Sequence, residues 1–599
     1  MQISPNGELL AFVRTDGDQR TIVIQRTDQP KLVASLAAGA TKLRRLRWAD
    51  DRHLLITVST TARVQDIEGS KREWFIVSSF DVVTGKQIHL LDGAGDAMNV
   101  VVGGGQVRAI GGKTYVFLQT YHFAHSEGTL GLFRVELASG YASLVEPGMA
   151  NTEDWFVDRD GRAVAEVRYI SSQGRWTLDV RRPDGRWVNS QAVQALIETP
   201  SVEGYARDGE SLLVSTSENG KSVLHTVSLK DGAWGPGQDN AYDWITFDAT
   251  SHAFMGGFTL DGDEERADFF DPAVADIWRA IVKAVPGERV DLVSWSANHR
   301  KVVVLLDGPR DGYGYALVDL DAKGMKWIGD VYPGIAPDQI AQPKAIAYKA
   351  ADGLSIPAYL TLPLGRAAKG LPLVVMPHGG PADRDTLEFD WLREALVSRG
   401  YAVLQPNFRG SSGYGDAFLQ AGYGQWGRKM QTDLSDGVRF LASEGIVDPK
   451  RACIFGWSYG GYAALAGAAI DKGVYRCAAD MAGPADLSLM LRGSGTISRR
   501  YWDRFMGAKG ADDPALDQIS PARLAANIDI PVLIVHGKDD TVVDYNQSEA
   551  MAAALGRAGK PYALVTLDGE DHWGSRGETR QKLLRAVVDF LAKNNPPAP

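Results

Sequence analysis

The fold is decided by residues 454–462, which read I-F-G-W-S-Y-G-G-Y. An apolar run ends at Ser458, a glycine stands two residues before and two residues after this serine, and an alanine-rich run follows. The pattern predicts a strand, a sharp turn and a helix, with the Ser458 hydroxyl held above a sheet at the helix N-terminus. The N–H group of Tyr459 would then face an incoming anion.

The order of the residues downstream supports a catalytic role for this serine. A serine hydroxyl becomes a nucleophile when a histidine accepts its proton and a carboxylate orients that histidine. In α/β-hydrolases the order along the chain is serine, acid, histidine. Asp540 follows an apolar strand at 531–535, and His572 follows another at 562–567. Both lie just past strand ends, where open α/β sheets place their sites. The predicted triad is Ser458, Asp540 and His572.

Three other residues are alternatives for the acid and the base. Asp539 adjoins Asp540, and His378 and His536 stand near the predicted site in sequence. The two histidines break the expected order of serine, acid and histidine. We therefore expect both of them to brace loops.

These motifs together resemble the prolyl oligopeptidase family of serine peptidases, within the α/β-hydrolase superfamily, and in particular its acylaminoacyl-peptidase-like branch. The matching runs are GWSYGG at 456–461, H-G-x-x-D-x-x-V-x-x-x-Q-S at 536–548, D-H at 571–572, HGGP at 378–381 and NFRGSSGYG at 407–415. The resemblance implies peptidase activity and an N-terminal propeller. It selects Asp540 over Asp539, because the family's acid stands three residues before the valine that matches Val543.

The resemblance also implies that the HGGP run supplies a second oxyanion N–H, which we assign to Gly380. Gly379 and Gly380 could instead be plain turn glycines, but two glycines after a buried strand allow a close approach to an oxyanion. For Arg409, in the NFRGSSGYG run, we expect a structural role in holding loops through carboxylates.

The family's dipeptidyl-peptidase members hold a substrate amine with paired glutamates, and no such Glu-Glu pair is found here. Glu73 and Glu153 are single candidates, and we expect both to be solvated at the surface.

Residues 1–341 show short alternating strands separated by acidic turns, repeated roughly every 40–50 residues. This period predicts an all-β propeller of about seven blades, with six or eight blades as alternatives and an irregular sandwich as another possible fold. Residues 271–282 have helical periodicity instead, and we expect them to decorate a blade rim.

From residue 342 the pattern changes to that of a doubly wound α/β-hydrolase sheet. A hairpin turned at Asp352-Gly353 comes first. Strands are then expected at 373–376, 402–405, 452–455 and 478–481, and helices at 390–399, 433–443 and 462–470. The predicted domains are a β-propeller at 1–341 and a catalytic domain at 342–599.

Composition excludes several classes of function. The net charge is −10 and no block of lysines and arginines is present, so a nucleic-acid partner is not expected. No apolar run is long enough to span a bilayer. Cys453 and Cys477 are expected to be two buried free thiols, and their spacing to histidines does not fit a metal site. No cofactor is expected.

The predicted function is hydrolysis of amide bonds in short peptides or peptide-like substrates, because a propeller over the site would exclude folded proteins. The alternatives are an esterase or a lasso-peptide isopeptidase with the same triad, and a non-enzymatic propeller scaffold. Homo-oligomerisation stays open. The expected compartment is the cytoplasm as the chain stands, and the periplasm if an export signal precedes the given start.

Overall fold

The N-terminal part of the chain forms a ring of seven small antiparallel sheets. A computed structural model describes residues 1–63, 71–123 and 128–597. Each of the first three blades has four strands. Their bounds are β1 (Gln2–Ile3), β2 (Leu9–Asp16), β3 (Gln19–Arg26) and β4 (Leu32–Gly39); β5 (Lys42–Trp48), β6 (His53–Ala62), β7 (Arg72–Asp81) and β8 (Gln87–His89); and β9 (Val102–Ile110), β10 (Lys113–His122), β11 (Thr129–Glu136) and β12 (Ala142–Glu146).

The remaining four blades complete the ring. Blades four and five contain β13 (Thr152–Val157), β14 (Ala163–Ile170), β15 (Arg175–Arg181) and β16 (Trp187–Gln194), then β17 (Ser201–Tyr205), β18 (Ser211–Glu218), β19 (Lys221–Ser228) and β20 (Gln238–Asp239). Blades six and seven contain β21 (Trp244–Phe247), β22 (Phe254–Asp261) and β23 (Glu264–Phe269), then β24 (Arg289–Trp295), β25 (Lys301–Gly308), β26 (Gly312–Asp319) and β27 (Gly324–Asp330). The prediction of about seven blades is confirmed.

Blade six has three strands in its sheet and is followed by helix α1 (Pro272–Ala284). Asp271 caps this helix by accepting a hydrogen bond from the Ala273 N–H, and a proline stands at its first position. The apolar face of α1 packs on the blade through Trp278, whose ring lies 5.4 Å from that of Phe258. The helical periodicity predicted at 271–282 is therefore confirmed.

The ring closes between blades one and seven without an exchanged strand among the described residues. β1 pairs with β2 of its own blade, and blade seven forms its own four-stranded sheet. The Ile3 N–H donates to the Ser294 Oγ at 3.1 Å. A shared apolar cluster of Ile3, Leu10, Val303 and Leu317 joins the two blades.

The C-terminal part forms one eight-stranded sheet in the order β28-β29-β31-β30-β32-β33-β34-β35. Its strands are β28 (Lys344–Lys349), β29 (Ser355–Thr361), β30 (Leu371–Val375), β31 (Ala402–Pro406), β32 (Val447–Trp457), β33 (Cys477–Met481), β34 (Val532–Gly537) and β35 (Tyr562–Leu567). The first two strands form the expected antiparallel hairpin, and β30 to β35 pair in parallel. The predicted boundary between residues 341 and 342 lies between β27 and β28 and stays a prediction.

Helices cover both faces of this sheet. They are α2 (Trp391–Ser398), α3 (Asp416–Gln420), α4 (Lys429–Ser443), α5 (Tyr459–Ala469), α6 (Leu487–Gly493), α7 (Thr496–Met506), α8 (Asn546–Arg557) and α9 (Gly577–Asn594). Alternate residues of a strand enter opposite cores: Leu373 and Val375 pack with α4, α5 and α8, whereas Val374 packs with α2 and α9. The doubly wound arrangement is confirmed. No helix among the described residues is long and apolar enough to cross a bilayer.

The prediction of two free thiols was wrong. Cys453 on β32 and Cys477 on β33 form a disulfide. The two strands are parallel neighbours, and their register places these two cysteines directly opposite each other, with 4.8 Å between their Cα atoms. Both side chains are buried in the core on the α2 and α9 face of the sheet.

Candidate active site

Ser458 lies in the turn between the central strand β32 and helix α5. Its backbone has φ 61° and ψ −121°, a conformation that non-glycine residues seldom adopt and that is associated with functional sites. The Ser458 N–H donates to the Met481 carbonyl at 2.8 Å, which ties the turn to the end of β33. Tyr459 is the first residue of α5, so its N–H has no partner within the helix.

The glycines of the turn are required because no side chain would fit. A Cβ atom on Gly456 would lie 2.3 Å from the carbonyl carbon of Gly460. A Cβ atom on Gly460 would lie 2.1 Å from the Pro377 carbonyl oxygen. The turn therefore packs directly against the segment that precedes the HGGP run.

Asp540 and His572 lie in the loops that follow β34 and β35, and their side chains are in contact. His572 Nδ1 lies 2.7 Å from Asp540 Oδ2, and both residues are buried. The other carboxylate oxygen accepts the N–H groups of Val542 and Val543, each at 2.8 Å. Burial alone would raise the pKa of Asp540, but hydrogen bonds from His536 and His572 outweigh it and lower the pKa to about 2. Asp540 is therefore a carboxylate near neutral pH.

The two other histidines do brace loops, as predicted. His536 Nδ1 contacts the Ser548 Oγ at 2.7 Å, and His536 Nε2 contacts the Val543 carbonyl at 2.9 Å. His536 Nε2 also lies 3.3 Å from Asp540 Oδ2, so this residue supports the acid as well as the loop. Sequence reasoning did not identify that second contact.

His378 fixes the peptide that carries the Gly380 N–H. Burial lowers the pKa of His378 to about 4, so its ring is neutral near pH 7. His378 Nδ1 lies 2.7 Å from the Gly379 carbonyl; since a carbonyl only accepts, Nδ1 carries the proton. His378 Nε2 lies 2.8 Å from the Ser411 Oγ, and the Ser411 hydroxyl also donates to the Phe408 carbonyl at 2.7 Å. Because a peptide unit is planar, holding the Gly379 carbonyl sets the direction of the Gly380 N–H.

Ser458, Tyr459, Gly380 and His572 line one cavity of about 450 Å³. A Cβ atom on Gly379 would lie 3.5 Å from the Ser458 Cβ, which shows how closely the HGGP run approaches the serine. The Gly380 N–H makes no hydrogen bond in the part of the chain that the structure describes. The structure thus brings the predicted site residues together around one cavity, with Asp540 behind His572.

Sequence reasoning missed the apolar wall of this cavity. The aromatic and aliphatic residues that line it are Trp426, Trp457, Tyr459, Pro484, Met490, Trp502, Val542, Val543 and Trp573. They come from five separate stretches of the chain, at 426, 457–459, 484–502, 542–543 and 573. The adjacency of Trp457 and Trp573 to the predicted triad residues was the only sequence signal for this wall.

A buried ion cluster connects blade two to the loop that carries His572. Asp571 accepts from Arg44 and lies 3.4 Å from Lys42 Nζ. Arg44 also pairs with Glu73, whose side chain is 14% exposed. The prediction that Glu73 is solvated at the surface was therefore wrong, because Arg44, on strand β5 of the same blade, binds it. Glu153 is exposed, as predicted.

A second contact connects blade six to the HGGP loop. Arg384 Nη2 lies 3.6 Å from Asp263 Oδ1 and donates to the Gly262 carbonyl at 3.0 Å, at the tip of the β22–β23 hairpin. Within the catalytic domain, Arg409 binds Asp433 at 2.7 Å and Asp352 at 2.8 Å. The predicted structural role of Arg409 is confirmed.

The described residues contain no group of three or more histidine, cysteine, aspartate and glutamate side chains arranged to hold a metal ion.

Comparison with known proteins agrees with this architecture. Residues 387–595 match the prolyl oligopeptidase family. The chain is 26% identical over 482 residues to dipeptidyl aminopeptidase BIII of Pseudoxanthomonas mexicana, covering 77% of this chain and 69% of that protein. It is 28% identical over 342 residues to dipeptidyl peptidase family member 6 of Caenorhabditis elegans, covering 52% of this chain and 46% of that protein.

Among solved structures, puromycin hydrolase superposes with a TM-score of 0.69 at 21% identity, over 99% of this chain and 94% of the other. At that identity the likeness establishes the fold, a propeller joined to an α/β-hydrolase domain. The family match and the sequence relatives identify the kind of enzyme. Residues 387–595 form a domain of the prolyl oligopeptidase family, and the protein is a serine hydrolase.

Proposed function

We propose that the protein hydrolyses amide bonds of short peptides or peptide-like substrates, with Ser458 as nucleophile, His572 as general base and Asp540 as the residue that orients His572. One observation carries the proposal: a single cavity is lined by Ser458 and His572, and His572 is bonded through Nδ1 to a buried carboxylate. With Nδ1 donating to Asp540, Nε2 is the nitrogen left to accept a proton.

In this scheme the Ser458 oxygen attacks the substrate carbonyl while its proton passes to His572 Nε2. The negative charge on the carbonyl oxygen is held by the N–H groups of Tyr459 and Gly380, each donor being worth about 3–4 kcal/mol of barrier. The carbon–nitrogen bond then breaks and the leaving amine takes the proton from Nε2. Water hydrolyses the acyl-enzyme by the same route in reverse, and the serine regains its proton.

The wall of the cavity supports a preference for apolar acyl groups. Trp457, Trp502 and Met490 line it beside the serine. Burying an aromatic or branched side chain against such a surface stabilises the complex by about 25 cal/mol per Å² of apolar area. Substrates with a large apolar residue on the acyl side of the scissile bond should therefore be favoured.

The position of the propeller supports a limit on substrate size. Blades one and two contact the loops around the cavity: Lys71 Nζ lies 2.6 Å from Asp539 Oδ1, and the Glu578 N–H donates to Asp18 at 2.6 Å. On another side, Arg504 of α7 binds Glu198 at 2.6 Å. Reaction needs atoms about 3–3.5 Å apart, which a folded protein outside such a ring would not reach.

The test is active-site labelling combined with a substrate panel. A fluorophosphonate should label wild type at Ser458, and Ser458→Ala should abolish both labelling and turnover. The matched control is Ser443→Ala, an exposed helix-end serine, which should leave both intact. The panel contains a peptide, the same peptide in a surface loop of a folded protein, an ester and a threaded peptide. Labelling at another residue, or equal cleavage of the free and the loop-displayed peptide, would contradict the proposal.

A further inference from the structure

The cavity around Ser458 has a single acidic group. Among the described residues that line it, Asp383 is the one carboxylate, and none is a lysine or an arginine. Asp383 is exposed to the cavity, and no ion pair between described residues includes it. Its charge is therefore available to a ligand.

The position of Asp383 next to the oxyanion donor is fixed by the backbone. A Cβ atom on Gly380 would lie 2.9 Å from the Asp383 Cβ, so the two residues are in van der Waals contact. The Asp383 carbonyl accepts the Ser412 N–H at 3.0 Å, and Asp383 Oδ1 accepts the N–H of Arg384 at 2.9 Å. The Asp383 side chain thus begins beside the residue whose N–H is proposed to bind the substrate carbonyl oxygen.

An isolated carboxylate at this place opposes the proposed reaction unless the substrate brings a cation. Negative charge develops on the carbonyl oxygen in the transition state, and a second negative charge nearby raises its energy. A substrate cation between the two would remove this repulsion. The tryptophan rings of the same cavity also favour a cation, because their faces carry negative potential.

We propose that Asp383 selects substrates whose acyl residue carries a free α-ammonium group, that is, N-terminal aminoacyl groups joined through an amide. The α-ammonium is attached to the carbon next to the attacked carbonyl, so a carboxylate in contact with Gly380 can bind it while the oxygen occupies the oxyanion site. This inference rests on the proposed function, since it assigns the substrate class of the same cavity.

The experiment compares three para-nitroanilides with the same aromatic group: phenylalanyl, hydrocinnamoyl, which lacks only the amine, and glycyl-phenylalanyl, whose amine lies one residue farther away. Wild type should turn over the phenylalanyl compound with a kcat/KM about tenfold or more above the other two, the range expected for a hydrogen bond to a charged group. Asp383→Asn should lose that preference, because its kcat/KM falls on the phenylalanyl compound and rises on the hydrocinnamoyl compound, from which the repulsion is removed. The control Asp512→Asn removes a charge from a side chain that is 92% exposed and should change nothing.

Fluorophosphonate labelling of Ser458 separates the two ways of failing. If wild type is labelled but prefers the hydrocinnamoyl or the glycyl-phenylalanyl compound, the inference is overturned and the proposed function stands. The same holds if Asp383→Asn lowers the rates on all three compounds equally. If wild type is neither labelled nor active on any compound, the proposed function is refuted and the inference falls with it.

Discussion

Replacing Asp571 with asparagine should release the loop that carries His572. The carboxylate is 2% exposed, and it faces Lys42 and Arg44, whose side chains are 9% and 19% exposed. Removing one partner of a buried ion pair costs about 3–5 kcal/mol, because the remaining charge is left without compensation. Glu73 still neutralises part of the Arg44 charge, so we expect about 3 kcal/mol, the lower end of that range.

Asparagine keeps the shape of the side chain, but its amide nitrogen takes the place of the oxygen that accepts from Arg44, so the substitution removes both the charge and this acceptor. Its oxygen can still accept the Trp573 N–H, which donates to Asp571 Oδ1 at 2.9 Å. The assay is amide hydrogen exchange in the loop at 570–576 together with kcat/KM. Since about 1.4 kcal/mol is a factor of ten, loop protection should fall about 100-fold, and kcat/KM should fall with it.

The matched control is Lys71→Ala, which breaks a more exposed contact between the same two domains. The side chains of Lys71 and Asp539 are 43% and 24% exposed, and such pairs contribute at most about 1 kcal/mol. Protection should therefore change less than about fivefold. If Asp571→Asn and Lys71→Ala had equal effects, the buried cluster would not be what holds the loop.

The cluster also predicts a dependence on pH with a definite sign. Burial would raise the pKa of Asp571, but hydrogen bonds from Arg44 and Ser575 outweigh it and hold the pKa well below its usual range. A depressed carboxyl pKa stabilises the folded loop above the ordinary value of about 3.9, and this contribution is lost as pH falls below it. Loop protection in wild type should therefore decline below about pH 4, and in Asp571→Asn this decline should be smaller, because the contribution of Asp571 is gone and that of Asp540 remains.

Three further substitutions test the candidate site. Gly460→Ala places a Cβ 2.1 Å from the Pro377 carbonyl, so fluorophosphonate labelling should be lost, whereas Gly93→Ala, at an exposed propeller turn with open space around it, should keep it. Asp540→Asn should lower kcat about 10³- to 10⁴-fold at pH 7 with little change in KM, because the asparagine no longer orients His572 as a proton acceptor; an unchanged kcat would contradict the role of Asp540. His378→Ala frees the Gly379 carbonyl and should lower kcat about 10- to 100-fold while leaving labelling detectable; a change in KM alone would count against the argument.

The turn at Ser458 could be predicted because it depends on local sequence. A glycine at 456 and at 460 and an apolar run before them are sufficient to indicate a strand and a turn that ends at Ser458. The helix at 272–284 could likewise be predicted from its own periodicity. Each of these two features is determined by residues that are close together in the sequence.

The Cys453–Cys477 disulfide could not be predicted in this way. Its partners are 24 residues apart, separated by α5, and the spacing alone does not tell which residues of two strands lie opposite each other. Register depends on how each strand places its side chains in the two cores. The same reasoning accounts for the cavity wall, whose tryptophans approach one another only after the sheet and its helices have packed.

The ion cluster depends on residues far apart in sequence, since Arg44 and Asp571 are separated by 527 positions. A partial signal was nevertheless present in strand β5, which reads K-L-R-R-L-R-W. Lys42 and Arg44 are two positions apart and therefore lie on one face of an innermost blade strand. Burying two cations on that face is unfavourable without carboxylates to pair with them, so the strand predicts an acidic partner outside its own hairpin. Only the assembled structure identifies that partner as Asp571, the residue that immediately precedes the proposed catalytic histidine.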